Sequence, residues 1–172
     1  MRRTSALAAV VLAALSSAMV ACDDATDLDE GKWLASLRSA AEIPEPVGFP
    51  TATGTADVTL DGGIMTVVVR INGNLTSAVT MAHIHGPASS SETADIVLDL
   101  VPLMSSAIVA GTTTGTIVSV QFDLNTQPVS PTGILRVDPV TLVNMLNAGD
   151  AYMNVHTVVN PTGELRGQLL PF

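Results

Sequence analysis

The chain is poor in cysteine, in aromatic residues and in positive charge, and each shortage excludes something. A single cysteine in 172 residues rules out an intrachain disulfide framework and any zinc cluster built on several thiolates. Aromatics at 3% leave few platforms on which bases or sugars could stack. Seven Lys and Arg face sixteen Asp and Glu, for a formal charge of -9. Nucleic acid demands neutralising cations, so no nucleic-acid partner is expected. Phosphate loops and dinucleotide fingerprints are missing too. Ser89-Ser90-Ser91 lacks a nucleophile elbow, and no Asp or His stands at a triad spacing from it. What remains is a chain that is 47% hydrophobic, of a length that suits one domain with a real core.

The first 21 residues read as an export signal. Arg2 and Arg3 form a positive start, Ala6 to Leu15 an apolar stretch too short for a good membrane span, and Ser16-Ser17-Ala18 a small-residue stretch. Met19-Val20-Ala21-Cys22 resembles a bacterial lipoprotein cleavage box, which implies that Cys22 becomes the lipidated first residue. The plainer alternative is an ordinary secretory signal that leaves a free thiol. Residues 22–31 hold Asp23, Asp24, Asp27, Asp29 and Glu30. Such a run of like charge reads as a solvated tether between lipid and domain. It lacks the glycine and the glutamate spacing of a helix-loop-helix calcium site. The expected location is outside the cytoplasm, periplasmic or at the cell surface, held to a membrane by lipid.

Residues 32–172 read as an all-β domain: an antiparallel β-sandwich or Greek-key barrel with one short helix. Ala56, Val58 and Leu60 alternate with polar residues, and Thr116, Val118, Val120, Phe122 and Leu124 face one way while Gly115, Ile117, Ser119, Gln121 and Asp123 face the other. Ile64 to Ile71 is a β-branched run that predicts a more buried strand. Asp61-Gly62-Gly63, Asn72-Gly73-Asn74 and Pro131-Thr132-Gly133 supply turns. Trp33 to Ala41 carries both helical and alternating features and is assigned to a strand. The helix is expected over about 139–148, between a capping Asp138 with Pro139 and a closing Gly149. Its methionine is expected to fill core rather than bind metal.

All three histidines fall in two motifs. One is Ala82-His83-Ile84-His85-Gly86-Pro87-Ala88. The other runs from Gly149-Asp150-Ala151-Tyr152-Met153-Asn154-Val155-His156-Thr157 through the turn Asn160-Pro161-Thr162-Gly163 to Glu164-Leu165-Arg166-Gly167-Gln168-Leu169. On strands, His83 and His85 share a face with Met81, and Tyr152, Asn154 and His156 share a face. A hairpin of 150–158 with 164–170 in even register sets Glu164, Arg166 and Gln168 beside Tyr152, Asn154 and His156. These two motifs, with Leu37, Glu42-Ile43-Pro44, Pro46, Thr53-Gly54-Thr55-Ala56, Leu146 and Ala148-Gly149, resemble the CHRD domain, the module named after chordin. The resemblance covers Trp33 to Phe172. It implies an antiparallel β fold in an extracytoplasmic setting and no settled activity. Where the family usually has a Gly-rich segment, this chain has Ser89-Ser90-Ser91-Glu92-Thr93.

Three uses of the histidines stand open at this point. His83, His85 and His156 can form a three-imidazole copper or zinc site with an open position. The plainer reading is a structural hydrogen-bonded network, in which Glu164 accepts from an imidazole, Arg166 pairs with an acid, and Tyr152 and Asn154 close the remaining donors. The third is a ligand pocket lined by the same groups. The sequence is therefore read as a lipid-anchored, non-catalytic binding or structural module of the cell envelope. An envelope or extracellular protein is its expected partner, and a copper- or zinc-binding protein or metalloenzyme using His83, His85 and His156 is the alternative.

Overall fold

The computed structural model describes residues 28, 30–48, 50–103 and 113–172. Cys22, the export signal and most of the acidic tether lie outside them. The strands are β1 (Gly31–Arg38), β2 (Thr53–Asp61), β3 (Ile64–Asn72), β4 (Val79–His85), β5 (Ile96–Asp99), β6 (Gly115–Asp123), β7 (Tyr152–Thr157), β8 (Leu165–Gln168) and β9 (Leu170–Pro171). One α-helix, α1 (Pro139–Ala148), precedes β7. The strands form a continuous antiparallel sheet in the order β5-β4-β7-β8-β1-β2-β3-β6, with β9 added beside β1. The sheet curls into a half-barrel. Its inner face gathers Trp33, Leu37, Val58, Val67, Ile84, Leu98, Val155 and Leu165 into a single apolar core. The all-β class and the helix are as the sequence predicts. Leu28, within the stretch read as tether, is buried against this core, and Gly31 already belongs to β1.

Local chemistry accounts for the elements. Asp61 pairs with Ile64, so Gly62 and Gly63 alone form the β2–β3 loop. Both take positive φ, 55° and 81°, as a tight hairpin turn of primed type requires. Asp138 caps α1 by accepting from the Thr141 N–H at 2.9 Å and from its hydroxyl at 2.6 Å. Gly149 closes the helix in the left-handed conformation. Leu142, Val143 and Leu146 face inward, and the Trp33 indole N–H donates to Asn147 Oδ1 at 3.1 Å, tying the helix to β1.

Two strand readings need correction. β3 is no more buried than β2: Met65, Val67, Val69 and Ile71 are buried, while Ile64 and Arg70 are exposed. β-Branching reports a pleated surface, and which face is covered depends on the partner layer. In β6 the register with β3 slips between Val69 and Arg70, so Val69 pairs with Val118 but Arg70 with Thr116. Ile117 is the extra residue of this bulge. It turns into the core together with Val118, leaving Thr116 exposed.

Replacing Asp138 by Ala removes both cap bonds. The expected cost is about 1 kcal/mol in urea denaturation; an unchanged midpoint would show that the cap contributes nothing.

Candidate functional site

The strand period places the site. In β4 and β7, Ala82, Ile84, Met153 and Val155 point into the core, so His83, His85, Tyr152, Asn154 and His156 emerge on the other face. Pairing sets His85 opposite Tyr152, His83 opposite Asn154 and Met81 opposite His156. On the far side of β7, Tyr152 pairs with Gln168 and Asn154 with Arg166, the even register expected from the sequence. This second face is also covered. Every residue of β7 is buried, and His83, His85 and His156 are only 3%, 9% and 6% exposed. The cover comes from the chain around Glu42, the loop at 86–95 and the turn at 160–163.

The three imidazoles converge. One ring nitrogen from each lies within 4.8 Å of the others. His83 Nδ1 stands 3.1 Å from His156 Nε2. The outward nitrogens are anchored. His85 Nδ1 donates to the Ala94 carbonyl at 2.9 Å, and His156 Nδ1 to the Pro161 carbonyl at 3.0 Å. A carbonyl only accepts, so both rings carry their proton on Nδ1 and turn the bare Nε2 inward. His83 Nε2 faces Asp99 Oδ1 at 3.5 Å, and the other oxygen of Asp99 accepts from Arg136 at 2.7 Å. His85 Nε2 is buried with no hydrogen-bond partner among the described residues. The rings stay neutral. Burial, then the neighbouring His156, push His83 down to about 4. Burial lowers His85 and His156 as well, against the opposing pull of their carbonyl partners.

The other predicted residues divide into two groups. Tyr152 and Arg166 support the triad. The Tyr152 ring stacks on His85 at 5.0 Å, nearly parallel, and the Arg166 guanidinium lies 3.6 Å from the centre of the same ring. Arg166 forms no ion pair with an acid among the described residues; it donates to the carbonyls of Ser89 and Glu92, so the serine-rich loop wraps its head group. Glu164 and Asn154 go elsewhere. Glu164 accepts nothing from an imidazole. It takes the Thr76 N–H and hydroxyl, the Thr157 hydroxyl and the Asn160 amide. Burial opposes its charge, and these four donors outweigh burial and hold its carboxyl below the usual range. Short hydroxyl donors, Thr76 on a loop and Thr157 at the end of β7, reach Glu164, while His156 Nδ1 is already taken by Pro161.

Asn154 donates to Glu42 Oε1 at 3.2 Å. Burial pushes Glu42 up to about 7, against the pull of the Ile43 N–H, Arg166 and Asn154. Glu42 Oε2 and Asn154 Oδ1 are both buried without partners among the described residues. They fill the space where a Cβ on Gly163 would fall, at 2.5 and 2.7 Å, and Gly163 holds a φ of 136°. Burial of both oxygens favours the neutral, protonated form of the Glu42 carboxyl. Asp99, Arg136, Glu42 and the carbonyls of Ala94 and Pro161 were not legible as site groups. Their proximity is set by strand order and loop closure, and no spacing in the chain encodes it.

Comparison with protein families matches the CHRD domain over residues 33–169. The chain belongs to the CHRD family. Curated proteins and solved structures gave no match. The CHRD domain is typically an extracellular module, and among the described residues no helix is long and apolar enough to cross a membrane. Both histidine motifs fall inside the CHRD match, so the triad is part of the domain itself.

The raised Glu42 sets a pH dependence. A carboxyl that binds its proton more tightly when folded gives stability that is complete below 4.5 and is lost as pH rises through about 7. His83 acts oppositely: stability from its lowered imidazole is present above 6.5 and lost on acidification through about 4. Comparing Glu42→Gln with the parent chain isolates the first effect. Between pH 4.5 and 8 the variant should gain about 2–3 kcal/mol on the parent in urea denaturation. A gap that does not change with pH would contradict the assignment.

Proposed function

We propose that this CHRD protein is an exported, non-catalytic module of the cell envelope whose three histidines hold a late first-row metal ion, copper or zinc. The observation that carries the reading is the conflict at His83. A neutral imidazole has one N–H, yet His83 Nδ1 faces the bare Nε2 of His156 and its Nε2 faces a carboxylate. With the proton on Nδ1, a lone pair meets Asp99. With the proton on Nε2, two lone pairs meet at 3.1 Å. A metal ion at the centre resolves both: Nε2–H then points at Asp99, and the Nδ1 and Nε2 lone pairs become ligands. Two imidazole nitrogens on a tetrahedral ion lie about 3.3 Å apart, close to the spacing present.

The surroundings fit the same purpose. Metal-bound histidines usually give their other N–H to a carbonyl or carboxylate, which fixes tautomer and aim. Here Ala94, Pro161 and Asp99 take those three positions. His83, His85 and His156 would hold the ion. Tyr152 and Arg166 would keep the His85 ring in place. Glu164, with its four donors, locks the turn that presents the Pro161 carbonyl. Lipid on Cys22 would hold the module to a membrane, periplasmic or at the surface, where an envelope protein is its expected partner.

Tag-free protein is expected to carry, or take up, close to one equivalent of copper or zinc by elemental analysis. His83→Ala should lose it, and Asp57→Asn, on the outer surface of β2, should keep it. Equal metal content in the parent and His83→Ala would overturn the centre. The full chain should partition into detergent and Cys22→Ser should not; identical partitioning would remove the anchor.

A further inference from the structure

We infer that the three-histidine centre selects monovalent copper over divalent zinc or copper. This rests on the metal-binding reading above and names the ion. The donor set consists of three neutral rings, so nothing within it offsets the ion's charge. The site is buried, and the penalty for burying an ion rises with the square of its charge. The charges that reach the imidazoles are Arg136 on His83 and His85, Arg166 on His85 and Asp99 on His83.

Two guanidinium groups therefore stand against one carboxylate, and that carboxylate is already paired with Arg136 at 2.7 Å. The carbonyls of Ser89 and Glu92 solvate Arg166 without neutralising it. Other acids do little here. Glu164 is shared among Thr76, Thr157 and Asn160, Glu42 is turned to Asn154, and Asp95 is exposed to water. A second positive charge on the ion meets net repulsion.

Softness and coordination number favour the same ion. Three donors are enough for cuprous copper, whereas zinc takes a fourth ligand. Met81 stands opposite His156 on the histidine face of β4. A cavity of about 550 Å³ reaches His85 from solvent and is lined also by Arg136 and Met145. The Met145 sulfur lies 3.2 Å from where a Cβ on Gly86, the residue after His85, would stand. Thioethers suit cuprous copper and not zinc.

The test is anaerobic competition of the full chain against bicinchoninate for Cu⁺ and against a chromophoric chelator for Zn²⁺. The parent chain should hold one equivalent of Cu⁺ about 100-fold more tightly than Zn²⁺. Arg136→Gln should cut that ratio about tenfold by raising zinc affinity, and Arg136→Lys should keep it. Asp99→Asn should move the ratio the other way, which preserves the test if Arg136→Gln does not fold. Zinc bound as tightly as Cu⁺, or a ratio unmoved by both charge changes, overturns the selection of Cu⁺ while leaving the metal centre standing. Binding of neither ion overturns the centre as well.

Discussion

Two backbone carbonyls set the geometry of the histidine triad. Ala94 and Pro161 each take the Nδ1 proton of a histidine, which fixes the tautomer and leaves Nε2 bare and inward-facing. Without those acceptors, His85 and His156 could turn a proton toward the centre, and the three rings would close into an ordinary hydrogen-bonded cluster. With them, the centre holds more lone pairs than protons. The carbonyls belong to loops, but the loops are held by buried polar work elsewhere. Arg166 grips the 89–92 loop, and Glu164 with Asn160 grips the turn at 160–163. The polar groups around the triad thus serve mainly to aim it.

The sheet makes this arrangement affordable. β7 is buried on both faces, one against the apolar core and one against polar side chains. A buried polar layer is tolerated only when its members are paired. Most are: Glu164 has four donors, Gln168 donates to the carbonyls of Ala88 and Gly149, and Arg166 has two acceptors and an aromatic ring. Among the described residues, His85 Nε2, Glu42 Oε2, Asn154 Oδ1, Arg136 Nε, Arg166 Nη1 and Gln168 Oε1 are buried without a partner. His85 Nε2 is the one that also stands in the histidine triad, and it is read as a metal ligand.

Much of this was legible in the chain. Alternation in 82–85 and 152–156, with the turn at 160–163, gives the histidine face and the even register without any coordinates. The helix from Pro139, its cap and its closing glycine follow from local chemistry. The bulge at Ile117 does not, because it depends on which strand lies beside β6. Nor do the partners of Glu164 and Arg166. The sequence reading has Glu164 accept from an imidazole and Arg166 pair with an acid, yet Glu164 accepts from Thr157 and Asn160 on its own hairpin and from the remote Thr76, and Arg166 donates to carbonyls of the 89–92 loop, some eighty residues away in sequence. Asp99 escaped for a related reason: its place beside His83 exists only because β5 pairs with β4. Periodicity reports which face a residue occupies and is silent on which loop closes over it.

The central claim is that two histidines are locked with their protons outward. Long-range ¹H–¹⁵N correlation on the metal-free full chain at pH 7.5 reads this directly from ring nitrogen shifts. The account predicts that His85 and His156 are both neutral Nδ1–H tautomers with unprotonated Nε2. Signals showing either ring as Nε2–H, or as charged imidazolium, would contradict it.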